Sequence, residues 1–202
     1  MKRQLRLMEL IKTDEPLWAM GILFAGMDEA GRGPLAGNVV AACVAMPSKP
    51  LIEWVDDSKK LSPARREAVY EQIMQTALYV GVGEASPAEI DSVNILNATK
   101  EAMRRAAQNV PASLFLIDAL QGLGLSGEER GIIHGDALCY SIAAASIVAK
   151  VTRDRQMEKL NSQYPAYGFL QHKGYGTPQH IAALKAYGPC PAHRRSFIGS
   201  FV

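Results

Sequence analysis

The chain has 202 residues, 48% of them hydrophobic and 21% charged, with a formal net charge of +2. This length and balance predict a single globular domain over residues 1–202, long enough to bury a proper core. The apolar runs are broken too early to cross a bilayer, and three scattered cysteines (Cys43, Cys139, Cys190) fit a reducing, cytoplasmic setting better than a disulfide scaffold.

The N-terminus starts basic, but Lys12, Asp14 and Glu15 soon interrupt it, so it reads as a short amphipathic helix and not a signal peptide. Residues 22–29 read as a buried strand, and 39–46 as a second one reached through a glycine-rich loop. Ser62 and Pro63 open a helix running to about Thr76. Residues 78–84 alternate as a third strand, 94–108 form a basic amphipathic helix, and 114–118 make a fourth strand. Residues 132–136 read as a short fifth strand. The longest periodic segment runs from Ala137 to about Gln163, with a small apolar first half and a charged second half. Pro165 and Gly168 end it. A helical and loop-rich part over about 165–202 comes next, with a last helix from Thr177 or Pro178 to Tyr187 and an irregular tail. The pattern predicts a mixed α/β sheet with helices on its faces.

Asp28, Asp118 and Asp136 each fall near the end of a predicted strand, where ligands of open α/β sheets bind. Carboxylates gathered there repel one another unless a cation neutralises them. A donor set made only of carboxylates favours Mg²⁺ or Mn²⁺ over zinc. Glu29 comes directly after Asp28, and consecutive strand residues point to opposite faces. It joins the same site if the strand ends there, or through its backbone carbonyl. Taken singly, each acid is also an ordinary strand-end or turn residue.

From Lys150 onward the chain holds eight Lys/Arg and two acids, so this stretch carries +6 and the first 149 residues carry −4. A basic quarter set against an acid-bearing front suits a polyanion held over a metal site, although charged segments are often just solvated faces.

The run Asp28-Glu29-Ala30-Gly31-Arg32-Gly33-Pro34-Leu35-Ala36-Gly37 resembles the signature of ribonuclease HII, the type 2 ribonuclease H family. Further similar motifs lie along nearly the whole chain, in matching order. They are Asp57-Ser58-Lys59-Lys60-Leu61-Ser62, Leu116-Ile117-Asp118, Gly135-Asp136-Ala137, residues 142–147, residues 149–155, His172-Lys173-Gly174-Tyr175-Gly176-Thr177 and His193-Arg194-Arg195-Ser196-Phe197.

The resemblance implies a ribonuclease H-like fold with a mixed five-stranded sheet, and an endonuclease cutting the RNA strand of RNA–DNA hybrids. It also implies incision 5′ of single ribonucleotides in duplex DNA, leaving 5′-phosphate and 3′-hydroxyl ends, and hence a role in ribonucleotide removal during replication and repair. By the family pattern, Asp28, Glu29, Asp118 and Asp136 hold the metal ions, Mg²⁺ or Mn²⁺. Two ions roughly 4 Å apart suit in-line hydrolysis, with Asp28 shared between them. Gly31, Arg32 and Gly33 read the 2′-hydroxyl, Tyr175 packs at the RNA–DNA junction, and Lys59 contacts phosphate with Ser58 and Lys60 beside it. Arg32 has a second reading as a structural salt bridge. Asn38, Ala119 and His134 stand where proline, glycine and lysine are usual in the family.

Gly122-Leu123-Gly124-Leu125-Ser126-Gly127 spells a dinucleotide fingerprint, but no helix is expected after it, so it reads as a loop. A non-catalytic nucleic-acid-binding module explains the basic quarter but not the acids. A junction-resolving nuclease shares the acids but has no use for a 2′-hydroxyl reader. His172, His180 and His193 are too scattered in sequence for a metal site, and His193 is expected to fix the tail by hydrogen bonds. The expected substrate partners are RNA–DNA hybrids and ribonucleotide-containing duplex DNA, met by a monomer.

Overall fold

The apolar runs pair into one sheet. In this computed structural model, which describes residues 1–202, the strands are β1 (Phe24–Ala30), β2 (Val39–Ala45), β3 (Tyr79–Ala85), β4 (Leu114–Asp118) and β5 (Glu128–Ile132). Their order is β3-β2-β1-β4-β5. The first three form an antiparallel meander, and β4 and β5 add to β1 in parallel. The helices are α1 (Lys2–Leu10), α2 (Glu15–Ala19), α3 (Pro63–Thr76), α4 (Pro87–Ala107), α5 (Gly135–Leu138), α6 (Tyr140–Gln163), α7 (Phe169–His172), α8 (Pro178–Tyr187) and α9 (Arg195–Ile198).

Strand alternation divides the core into two faces. Ala25, Met27, Ala41 and Cys43 pack with the small side chains of α4, among them Ala98 and Ala102. Ala42 and Val44 pack with Ala143, Ala144 and Ile147 of α6 and with Val69 and Ile73 of α3. Gly26 lets α6 lie directly on β1, because a Cβ there would sit 2.1 Å from the Ser141 carbonyl carbon. Asp28, two residues further along the same face, is thereby brought against α6.

The helix expected from Pro63 to Thr76 is present, its N-terminus capped by the Ser62 hydroxyl, which accepts from Arg65 N–H. The next helix begins at Pro87, not Asn94. A Ser86–Glu89 capping box starts it, and Asn94 (φ 67°, ψ 165°) kinks it. The Asn94 side chain then accepts from Asn97 N–H and caps the second half. The long segment expected from Ala137 is broken at Cys139, whose extended backbone separates α5 from α6. The tail expected to be irregular contains the turn α9. The glycine run 122–127 is a loop, and Glu129 closes it by accepting from the N–H groups of Leu123 and Leu125.

The N-terminal helix is where the sequence places it, but its role is not one the sequence announces. Asp14, fully buried, accepts from Tyr140 N–H (3.0 Å) and Ser141 N–H (2.9 Å), from the Cys139 thiol and from the Ser141 hydroxyl. It caps α6, which has no side-chain cap of its own. Arg6 donates to Ala137 O at 2.9 Å and pairs with Asp56. Residues 3–14 thus fasten the junction between α5 and α6.

Candidate active site

Parallel pairing of Met27 with Ile117 puts the next residues, Asp28 and Asp118, side by side at the ends of β1 and β4. Asp136 arrives differently. The sequence predicts it at the end of a fifth strand, but β5 stops at Ile132. His134 adopts a left-handed conformation (φ 58°), and Gly135 begins α5, with Asp136 in its first turn. Gly135 N–H donates to Asp118 Oδ1 at 2.8 Å and ties the two acids together. Carboxylate oxygens of Asp28, Asp118 and Asp136 lie within 4.8 Å of one another.

Acids this close raise one another's proton affinity. Burial pushes the Asp28 carboxyl well above the usual range, and Glu29 and Asp118 push it further. Burial likewise raises Asp118, with Asp136 adding to it. Lys59 Nζ stands 3.3 Å from Asp136 Oδ2; burial opposes its charge, but Asp136 holds its affinity for the proton above the ordinary value.

Glu29 lies outside the three-acid group. β1 continues to Ala30, so Glu29 pairs with Ala41 and belongs to the α4 face. Its Oε1 takes a 3.4 Å contact from Arg32, and its Oε2 is buried with no hydrogen-bond partner. Burial raises its pKa despite Arg32. An orphaned carboxylate oxygen, buried acids with raised proton affinity and a set of oxygen donors alone fit a hard divalent cation.

Asp28 and Glu29 line a cleft of about 380 Å³ together with Gly31, Arg32, Gly33, Ser58, Lys59 and Tyr175, and with Ser146, Lys150 and Arg153 of α6. Tyr175 is 47% exposed, and its ring edge would lie 3.8 Å from a Cβ at Gly33. Ser58 is buried and accepts a hydrogen bond from the Ser146 hydroxyl at 2.9 Å. Lys60 turns away from the cleft toward Asp56. Arg32 makes the exposed contact to Glu29 and lines the cleft as well.

The three histidines, scattered in sequence, meet in the fold. The rings of His172 and His180 stack at 4.4 Å, and Nε2 of His180 and His193 lie 3.0 Å apart. Bonding fixes the protons. His180 Nδ1–H donates to Tyr175 O, so its Nε2 accepts from His193 Nε2–H, and His193 Nδ1 accepts from Cys190 N–H. Burial and the His180 ring push His193 down to about 4. The cluster holds the backbone of Tyr175 and the tail, a role the sequence suggests for His193 alone.

Two strand-end carboxylates and a third from the helix beside them, next to a cleft with lysines and a glycine loop, define a divalent-metal-dependent nuclease of the ribonuclease H fold. Residues 25–200 match the family profile of Ribonuclease HII, and the chain belongs to that family. The Ribonuclease HII of Desulfitobacterium hafniense (strain DSM 10664 / DCB-2) is 51% identical over 195 residues, covering 95% of this chain and 75% of that one. That of Polynucleobacter asymbioticus is 56% identical over 182 residues, covering 87% and 93%. The RNase HII of Archaeoglobus fulgidus, solved in complex with PCNA, superposes with a TM-score of 0.75 at 27% identity, over 86% of this chain and 94% of that one. The protein is an endonuclease of the ribonuclease H class, acting on the RNA of RNA–DNA hybrids with a divalent metal.

The sequence patterns do not single out Asp14, Ser146, Lys150 or the inward roles of Arg153 and Arg194. Ser146, Lys150, Arg153 and Arg194 all stand inside family-like motifs, but the motifs assign them no role. For Asp14 no local signal exists, because its partners lie more than 120 positions away.

Proposed function

We propose that Asp28, Asp118 and Asp136 are the metal-holding acids, with Asp28 shared between two ions, and that Glu29 joins through its free Oε2 or its carbonyl. The observation that carries this reading is the convergence of three carboxylates within 4.8 Å beside the Gly31–Gly33 loop. The bound cations supply activation of a water and stabilisation of the leaving oxygen. The chain's own groups hold and orient the strand to be cut. The loop at Gly31, Arg32 and Gly33 meets the ribose 2′-hydroxyl through its backbone. Tyr175 stacks at the RNA–DNA junction, and Lys59 contacts a phosphate with Ser58 supporting it from beneath. Lys60, turned toward Asp56, serves the more distant backbone.

Under this reading the enzyme also incises 5′ of a single ribonucleotide in duplex DNA, leaving 5′-phosphate and 3′-hydroxyl ends. Either Mg²⁺ or Mn²⁺ serves it. It works as a one-domain monomer in the cytoplasm, removing ribonucleotides during replication and repair. The test is cleavage of a duplex with one ribonucleotide, an RNA–DNA hybrid and an all-DNA duplex, each with Mg²⁺, Mn²⁺ or chelator. The expected result is metal-dependent cutting of the first two only. Equal cutting of all three removes the 2′-hydroxyl reading, and cutting in chelator removes the metal assignment.

A further inference from the structure

Arg153 and Arg194 are the two largest side chains buried almost completely in the protein. Buried guanidinium groups ordinarily pair with a carboxylate, because an unpaired buried charge is costly. Neither of these makes a salt bridge to an acid; their partners are backbone carbonyls instead, and most belong to one loop.

Arg194 donates from Nη2 to Gly31 O (2.6 Å), from Nη1 to Arg32 O (2.9 Å) and Pro34 O (2.8 Å), and from Nε and Nη2 to Gly37 O (2.9 and 2.7 Å). All five guanidinium N–H groups are thereby used. Arg153 donates to Ala36 O (3.2 Å), Asn38 O (3.2 Å) and Lys173 O (3.1 Å). Gly31 has no side chain for a visible reason: at φ 95°, its Cβ would lie 2.0 Å from Arg153 Nε.

The consequence is a loop with its two kinds of polar group sorted. The carbonyls of Gly31, Arg32, Pro34, Ala36 and Gly37 point inward to the two guanidinium groups. The N–H groups of Arg32 and Gly33 donate to no protein group, and both residues line the cleft beside the acids. Successive free N–H groups in such a loop make a concave donor site for an oxygen of the substrate.

We infer that Arg194, seconded by Arg153, is a specificity-positioning residue: its five-donor fork holds the carbonyls of the Gly31–Gly37 loop inward and so presents the N–H groups of Arg32 and Gly33 to the substrate's ribose. This rests on the reading of that loop as the 2′-hydroxyl contact. A lysine at 194 keeps the charge but has three donors and no planar fork, so it cannot hold four carbonyls at once. Burial and then the charge of Arg153 lower the Arg194 pKa to about 9, against an opposing pull from Asp91 and Tyr175.

The experiment compares wild type, Arg194→Lys and Arg153→Lys. For each, it measures the thermal midpoint, its rise on adding Mg²⁺, and kcat and KM on the hybrid and on the all-DNA duplex. Arg194→Lys is expected to fold at a lower midpoint and keep the Mg²⁺-induced rise, because the acids are untouched. Its kcat on the hybrid falls roughly a hundredfold even at saturation, as for a misplaced contact at the reacting centre. Discrimination against DNA falls with it. Arg153→Lys, which loses fewer bonds, shows the same pattern more weakly. If Arg194→Lys does not fold, Arg153→Lys decides. Wild-type kcat and discrimination in every variant that folds overturn the inference alone. A wild type that cuts all-DNA duplex as fast as hybrid overturns the loop reading and the inference together.

Discussion

The carboxylate of Asp14 caps the helix that starts at Tyr140, 126 positions further along the chain. Asp14 stands at the start of α2, yet its side chain makes no bond to its own helix. It serves α6, which begins shortly after the short helix that carries Asp136. The capping contact therefore joins the N-terminal segment to the acid cluster through rigid backbone.

Asp14→Ala leaves the first N–H groups of α6 buried without acceptors. The expected cost is about 2 kcal/mol, which lowers the melting temperature by roughly 4–8 °C. Asp14→Asn keeps an acceptor oxygen and recovers part of the loss. Calorimetry of the three proteins checks this, and equal midpoints for Ala and Asp would show that the cap contributes nothing.

Asp28→Asn is expected to abolish cleavage and, in chelator at pH 8, to stabilise the protein. Burial, Glu29 and Asp118 raise the folded-state pKa of Asp28 above its unfolded value of 3.8. The stability linked to this group is thus fully present below that value and is lost as pH rises through the folded value. Removing the charge is expected to return about 1–2 kcal/mol at alkaline pH. Thermal melts of both proteins across pH in chelator test this. A variant less stable than wild type at pH 8, or one still cutting hybrid with Mg²⁺, would contradict the role given to Asp28.

Acid titration reports on the histidine cluster. His193 has a folded value of about 4 against 6.5 when free, and burial, then His180, causes the drop. A depressed value gives stability that is present above pH 6.5 and lost as pH falls through about 4. The loss over that window is expected to be a few kcal/mol (roughly 1.4 per pKa unit). His193→Gln should flatten denaturant midpoints between pH 6.5 and 4, and an unchanged slope would place the titration elsewhere.

Ala119 sits after Asp118 at φ 52°, a left-handed conformation that costs a side-chain-bearing residue roughly 1–2 kcal/mol. Ala119→Gly relieves it and gives back part in unfolded-state entropy. The expected gain is about 0.5–1 kcal/mol in a urea titration. A loss of stability there would mean that the Ala119 methyl packs better than its backbone suffers.

The two acids at strand ends are legible because a short apolar run, an acid and a turn repeat the same signal at Asp28 and Asp118. Asp136 is legible as a member of the set but not as to its element. Ile132 to Asp136 reads as a strand until His134 turns left-handed, and nothing in a histidine announces that. The first two turns of α4 carry a capping signature at Ser86 and Glu89. They escape a periodicity reading because the kink at Asn94 breaks the helix phase between the two halves. The histidine cluster and the Asp14 cap are illegible for a different reason. Both are made by tertiary contact, and residues 172, 180 and 193 share no helix face or strand that would predict their meeting.

The loop from Gly31 to Gly37 waits on a residue 157 positions later, since Arg194 holds the Gly37 carbonyl. At translation rates of about 5–20 residues per second, roughly eight to thirty seconds separate the synthesis of the loop from that of its clamp. Late in that interval a ribosome-bound chain carries Asp28, Glu29, Asp118 and Asp136, but not the clamp on the loop proposed to meet the ribose. Nascent chains stalled before position 190 are accordingly expected to leave a hybrid uncut, and robust cutting by them would show that the loop sets itself.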